Sequence, residues 1–259
     1  MDKFIYKKSF GQNFLIDDNI KRKIVNAANI DKDSLIIEVG PGSGAITNFL
    51  VLFNVPVVAF EIDTRLKEEL DKIKVDNLEV IYEDFLKVNL KEKLSKYKYK
   101  KLHLIANLPY YITTPIIEKV MEEKSLDEMI IMVQKEVGDR FKAHPCTKEY
   151  NSLSVYLQYY FDIEKVCLVS KNCFIPKPKV DSIVLKFTRK KNQEKLNNSE
   201  SFFKLIKDAF KQKRKNLRNN LKEYDLVKLE NVLKELGKDL TYRAEQLSLS
   251  DFVFIANHL

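Results

Sequence analysis

The stretch "SLIIEVGPGSGAIT", residues 34–47, decides the fold. A run of strand character breaks into Gly40, Gly42 and Gly44, and an apolar helical pattern follows at once. Glycines at such a point let the backbone turn sharply and approach a ligand without a Cβ in the way. Outward from it, short β-rich runs alternate with helical patterns: "VPVVAFEID" (55–63), "LEVIYEDF" (78–85), "LHLIANLPY" (102–110), "EMIIMVQKE" (128–136), "EKVCLVS" (164–170) and "KVDSIVLKF" (179–187). The alternation predicts a doubly wound α/β fold, a parallel sheet with helices on both faces that closes with antiparallel strands after residue 160.

After Arg189 the texture changes to the polar "KKNQEKLNNSE" (190–200), which reads as a linker, and the pattern beyond it is helical to the end. The expected organisation is a first domain over residues 1–189 and a small all-helical domain over 190–259. At 259 residues, with 45% apolar and 32% charged residues, the chain has the composition of a globular protein that buries a full core. Lys and Arg number 45 against 37 acids, a net charge of +8. That sign suits a polyanionic partner, although general richness in Lys contributes to it.

Cys146, Cys167 and Cys173 form no CxxC pair, and His103, His144 and His258 stand far apart, so neither a disulfide framework nor a metal site is expected. The most apolar segment, "FLVLFNVPVVAF" (49–60), is broken by Asn54 and Pro56 and falls short of the ~18 residues a membrane span needs. "MDKFIYKKSF" lacks the apolar core of a signal peptide. A cytoplasmic, reducing location without a membrane partner is the expectation.

Glu61 comes 21 residues after Gly40, at the end of the second strand-like run, where a carboxylate can accept hydrogen bonds from ribose hydroxyls. Gly40, Gly42 and Ala45 also satisfy the looser pattern of dinucleotide binders, so on these residues an NAD enzyme and a purely structural turn both stay open. The third run ends in Glu83-Asp84, where a class I methyltransferase would bond the adenine amino group of S-adenosylmethionine; an exposed acidic turn is the plainer alternative.

Asn107-Leu108-Pro109-Tyr110 ends the fourth run. A purine amino group is a poor nucleophile because its lone pair is delocalised into the ring. If the Asn107 side-chain oxygen and a neighbouring main-chain carbonyl accept its two N–H groups, the nitrogen moves towards tetrahedral geometry and the lone pair is freed. Proline fixes φ and withholds an N–H that would compete for the carbonyl. Tyr110 offers a π-face to a base, worth roughly 1–3 kcal/mol. For the tetrapeptide alone, a simple turn with a core tyrosine is an even alternative; after a glycine turn and two acids at successive strand ends, base methylation is the better reading.

These residues carry a resemblance. "FGQNFLIDDNI" (10–20), "EVGPGSGAIT" (38–47), "NLPYYITTPII" (107–117), "QKEVGDR" (134–140), "FIPKPKVDSIV" (174–184), "FKQKRKNLRNNL" (210–221) and "YRAEQLSLSDF" (242–252) occur in the order found in ribosomal RNA adenine N6,N6-dimethyltransferases. The chain resembles the bacterial-type small-subunit members, which dimethylate two adjacent adenines near the 3′ end of 16S rRNA. The resemblance implies a class I methyltransferase, Rossmann-like fold, S-adenosylmethionine as cofactor, the small ribosomal subunit as partner, a part in its biogenesis, and a monomer. It further implies that Asn13 and Leu15 close over the cofactor, Gly40 and Gly42 lie under it, Glu61 holds the ribose, Asp84 takes the adenine, and Asn107 bridges cofactor and target. Leu108, Pro109 and Tyr110 complete the catalytic turn, and Phe174 covers the other face of the base. Tyr111 stands where these enzymes usually have Asn, and Ser43 where Leu is common, which leaves details of the target pocket open.

From Ser201 to Lys222, Phe203, Ile206, Phe210, Leu217 and Leu221 recur at helical spacing, and Lys204, Lys207, Lys211, Lys215, Arg218 and Lys222 line another face. A basic face is often only solvated; attached to a base-modifying domain, it is expected to contact RNA phosphates. Large-subunit rRNA methylases that confer antibiotic resistance and organellar transcription factors share the motifs, and a non-catalytic assembly factor would keep the same fold.

Overall fold

The computed structural model describes residues 13–108 and 112–259. Its strands are β1 (Phe14–Leu15), β2 (Ser34–Val39), β3 (Val57–Phe60), β4 (Leu78–Ile81), β5 (Lys101–Asn107), β6 (Leu126–Gln134), β7 (Phe161–Val169), β8 (Phe174–Ile175) and β9 (Ser182–Arg189). The helices are α1 (Asp18–Asn26), α2 (Thr47–Leu50), α3 (Lys67–Leu70), α4 (Leu90–Leu94), α5 (Thr113–Glu122), α6 (Lys135–Phe141), α7 (Ser152–Tyr160), α8 (Ser199–Ala209), α9 (Leu217–Asn220), α10 (Leu226–Glu235) and α11 (Leu249–His258).

A seven-stranded sheet runs in the order β4-β3-β2-β5-β6-β9-β7, and β1 pairs with β8 in a small antiparallel ribbon. Strands β2 to β6 pair parallel with one another and β9 is antiparallel to β6, the expected doubly wound sheet with antiparallel closure. The chain steps outward from β2 to β3 and β4, then returns to β5 on the other side of β2. Strand order therefore reverses between β2 and β5, the point where open α/β sheets bind ligands beyond their carboxyl ends.

Val57, Val58 and Ala59 of β3 and Leu104, Ile105 and Ala106 of β5 are fully buried, as strands covered on both faces must be. At roughly 1.5–3 kcal/mol per buried aliphatic side chain, these central strands carry much of the unit's stability. Helix α1 starts where Asp17 caps it, accepting from the N–H groups of Asn19 and Ile20, and it buries Ile24 and Val25. At the end of the sheet remote from the glycine turn, Glu128 accepts from the Asn29 main-chain N–H at 2.8 Å and pairs with Lys186 Nζ at 3.0 Å. His103 lies 3.3 Å from the same carboxylate and 3.1 Å from the Ser34 hydroxyl. Burial alone would raise the Glu128 pKa, but His103, the Asn29 N–H and Lys186 together lower it to about 2.

Two compact units form. One comprises the chain up to Gly138 together with Ile163–Arg189, and the other Asp139–Asp162 together with Lys190–Leu259. The second unit is helical. Phe202, Leu205, Ile206 and Ala209 of α8 recur at helical spacing and are buried with Leu217, Leu229, Leu233, Phe252 and Ile255. Tyr150, Val155 and Tyr159 of the 139–162 segment belong to the same core. Among the described residues, no helix is long and apolar enough to cross a membrane.

Candidate active site

The sheet register puts the ends of four strands level. Val39 of β2 pairs with Phe60 of β3 and with Ala106 of β5, and Phe60 pairs with Ile81 of β4. Gly40, Glu61 and Asn107 each follow that row by one residue, and Asp84 follows Ile81 by one short turn. All four line one cavity of about 280 Å³, near the lower end of the ~300–1,000 Å³ typical of small-molecule sites. Asn13, Leu15 and Gly42 line it as well.

The glycine turn is held to the neighbouring strand end. Gly40 donates to the Phe60 carbonyl at 2.9 Å and has φ +71°, and a Cβ on it would meet nothing within 4 Å, so its face is open. Gly42 has φ +60°, and a Cβ there would come within 3.2 Å of the Phe14 ring. Its N–H donates to Glu61 Oε2 at 3.1 Å, while the Asp63 N–H donates to Oε1 at 2.8 Å. Glu61 is 5% exposed; burial raises its pKa and these two N–H groups oppose the rise. Its carboxylate is fixed in direction, with oxygen lone pairs left to accept further bonds.

Asp84 caps the turn after β4, its Oδ1 accepting the Leu86 N–H at 3.0 Å. The next residue, Phe85, packs edge-on against Phe60 at 5.4 Å and lines the cavity. Asn107 donates its side-chain Nδ2 to the Asn13 carbonyl at 3.3 Å, which leaves Oδ1 as the acceptor end of the amide. Pro109, Tyr110 and Tyr111 lie outside the described residues.

Other expected residues are placed elsewhere. Phe174 is 3% exposed, pairs with Leu15 across the small ribbon, and packs with Ile105, Met132 and Val184 rather than lining the cavity. The basic set does not share one helix: α8 ends at Ala209, Lys211 and Lys215 sit in the loop before α9, and Lys222 follows α9. Phe202, not Phe203, is the fully buried ring of α8. Lys204 is engaged within the unit, pairing with Asp208 at 2.6 Å and lying 5.0 Å over the Tyr224 ring. Among the described residues, Arg218 and Lys222 make long pairs, 3.9 Å to Glu230 and 3.7 Å to Glu223.

A family model described as ribosomal RNA adenine dimethylase matches residues 3–259. The chain belongs to that family. Relatives named ribosomal RNA small subunit methyltransferase A, from Streptococcus thermophilus and Bacillus cytotoxicus, are 43% and 42% identical to this dimethylase over 99% of its chain and 92% of theirs. A dimethyladenosine transferase from Plasmodium falciparum has a TM-score of 0.75 at 25% identity, covering 93% of this chain and 95% of that one. The 23S rRNA methyltransferase ErmE shares the fold, with a TM-score of 0.74 at 23% identity over 95% of this chain and 99% of its own.

Sequence reasoning passed over two acids of the dimethylase cavity. Glu38, 2% exposed, accepts the Thr47 hydroxyl at 2.7 Å. Burial raises its pKa to about 8, with Thr47 opposing and the charge of Glu61 adding to the rise. Asp63 is bonded bidentately by Arg65, at 2.8 Å and 2.5 Å. Glu38 had a signal, being an acid inside an otherwise apolar strand. A further sign is Ile62, 54% exposed although it lines the cavity beside Glu61.

Proposed function

We propose that this dimethylase places two methyl groups on N6 of each of two adjacent adenosines near the 3′ end of small-subunit (16S) rRNA, using S-adenosylmethionine, in the cytoplasm and during small-subunit biogenesis. One observation carries the reading: Gly40, Glu61, Asp84 and Asn107, each at or just beyond the end of a different parallel strand, line a single cavity. The names and the 42–43% identity of the small-subunit relatives support the choice of RNA.

The residues fit the cofactor. The open face of Gly40 admits a ligand against the backbone, and the oriented Glu61 carboxylate suits the hydroxyls of a ribose. Asp84 offers an acceptor for an adenine amino group, and Asn13 and Leu15 complete the lining. When bound, S-adenosylmethionine supplies a methyl group activated on a sulfonium. Asn107 Oδ1 and the Leu108 carbonyl then accept the two N–H groups of the target amine and free its lone pair. Pro109 leaves that carbonyl without a competing donor. Tyr110 and Phe174 take the two faces of an extruded base, Phe174 after its ring has moved out of the core. Lys207, Lys211, Lys215, Arg218 and Lys222 contact phosphates, and Lys204 holds the fold of their unit.

The test is incubation with labelled S-adenosylmethionine and immature small subunits, followed by mapping of the modified bases. Two neighbouring dimethylated adenosines near the 3′ end are expected. Label confined to protein-free large-subunit RNA would replace this reading with the resistance-methylase one, and no label on either RNA would point to a non-catalytic assembly factor.

A further inference from the structure

The segment that carries Asp84 is held at both ends. Asp84 opens a single 3₁₀ turn over Phe85–Lys87 by capping Leu86, and the Lys87 N–H returns to the Asp84 carbonyl at 2.8 Å. Carbonyls at the far end of such a turn are left without main-chain donors. Two of them are taken by one side chain: Lys119 Nζ donates to the Val88 carbonyl at 2.6 Å and to the Leu86 carbonyl at 3.1 Å. The same ammonium lies 5.8 Å from the centre of the Phe85 ring. Lys119 is half-buried on α5, the helix that follows the catalytic turn, and Ile116 one turn earlier lines the same cavity as Asp84, Phe85 and Leu86.

We infer that Lys119 is a positioning residue, fixing the Asp84–Leu86 wall of the cavity against helix α5 so that the adenine acceptor and the methyl-transfer turn keep one geometry. Lysine suits the task because its ammonium has three donors and no acceptor, and can serve two carbonyls at once. Asp84 cannot compensate, since the direction of its carboxylate is set by the turn it caps. A shift of about 1 Å at such a wall can slow a reaction roughly a hundredfold. The identity of the ligand rests on the S-adenosylmethionine reading; the tie itself does not.

The test compares wild type with Lys119→Met, which keeps an unbranched side chain without donors, and Lys119→Arg, which restores them. Three measurements are made: amide hydrogen exchange of residues 84–88 without cofactor, affinity for S-adenosylhomocysteine by calorimetry, and single-turnover methylation at saturating cofactor. Lys119→Met is expected to exchange faster at Leu86 and Val88, to bind about tenfold more weakly, and to turn over more slowly, with Lys119→Arg recovering most of each loss. Lys119→Met matching wild type in all three would overturn the inference, as would Lys119→Arg being equally impaired, since the lysine would then act by shape alone. If Lys119→Met does not fold, Lys119→Leu, which also lacks donors, takes its place under the same criteria. A wild type that fails to bind S-adenosylhomocysteine strikes the proposed function, while the exchange measurement still decides the tie.

Discussion

Asn107 commits its amide nitrogen to the Asn13 carbonyl, which leaves its oxygen as the acceptor the proposed methyl transfer would use. Asn107→Ala is expected to lower the single-turnover rate by roughly 10²–10³-fold, the usual loss when one preorganised transition-state partner is removed, with a much smaller change in S-adenosylhomocysteine affinity. An equal loss in both would make Asn107 a binding residue only. Glu38 supplies a pH signature. Its pKa is about 8 in the folded protein against 4.5 as an ordinary glutamate, so between those values the folded state holds a proton that the unfolded state has released. Stability of the cofactor-free protein therefore falls as pH rises from about 4.5 to about 8. Glu38→Gln, which can still accept from Thr47, is expected to flatten that slope in denaturant titrations at pH 5.5, 7 and 8.5; a slope unchanged from wild type would show that Glu38 is ionised throughout. Glu61, Asp84 and Asn107 were legible because each ends an apolar run. Glu38 carried a signal as the acid of an apolar strand, but nothing in the sequence ties it to the cavity; the fold does so by burying the whole of β2 and turning this carboxyl into the cavity lining.

Between Phe210 and Leu217 no apolar residue occurs, so a continuous helix there would have nothing to bury, and the chain instead forms a loop between α8 and α9. Helical spacing on either side of the gap hid the break. The loop is shaped by Asn220, whose amide donates to the Ala209 carbonyl at 2.7 Å and the Gln212 carbonyl at 3.1 Å. Charge and shape are therefore separable. Lys211, Lys215 and Arg218 changed together to Gln are expected to lower the salt dependence of small-subunit binding by about 0.7–0.9 in slope for each phosphate that is no longer neutralised. Asn220→Leu is expected to weaken binding with the slope kept, because the cations remain and only their arrangement loosens. Identical slopes and affinities in both variants and wild type would reduce the loop to a solvated surface.

The polar stretch after Arg189 marks one crossing between the units in the composition, but the crossings after Gly138 and Asp162 fall inside α6 and β7, where no break in the pattern marks them. Ending the chain at Arg189 would leave Tyr150, Val155 and Tyr159 without Phe202, Leu205, Leu233 and Phe252. Such a truncation is expected to bind a hydrophobic dye and to aggregate on gel filtration, whereas a well-behaved monomer would mean that residues 139–162 find other cover. The level strand ends have a different bearing, on how lengths can drift among descendants of this gene. One residue added to or removed from β2, β3 or β5 would move the side chain beyond the shared row by about 3.3 Å and turn it to the opposite face. Insertions and deletions should therefore accumulate in the connections that enter these strands at the other edge, such as 27–33 and 95–100, while the spacing from Val39 to Gly40, Phe60 to Glu61 and Ala106 to Asn107 stays invariant in every copy that still methylates.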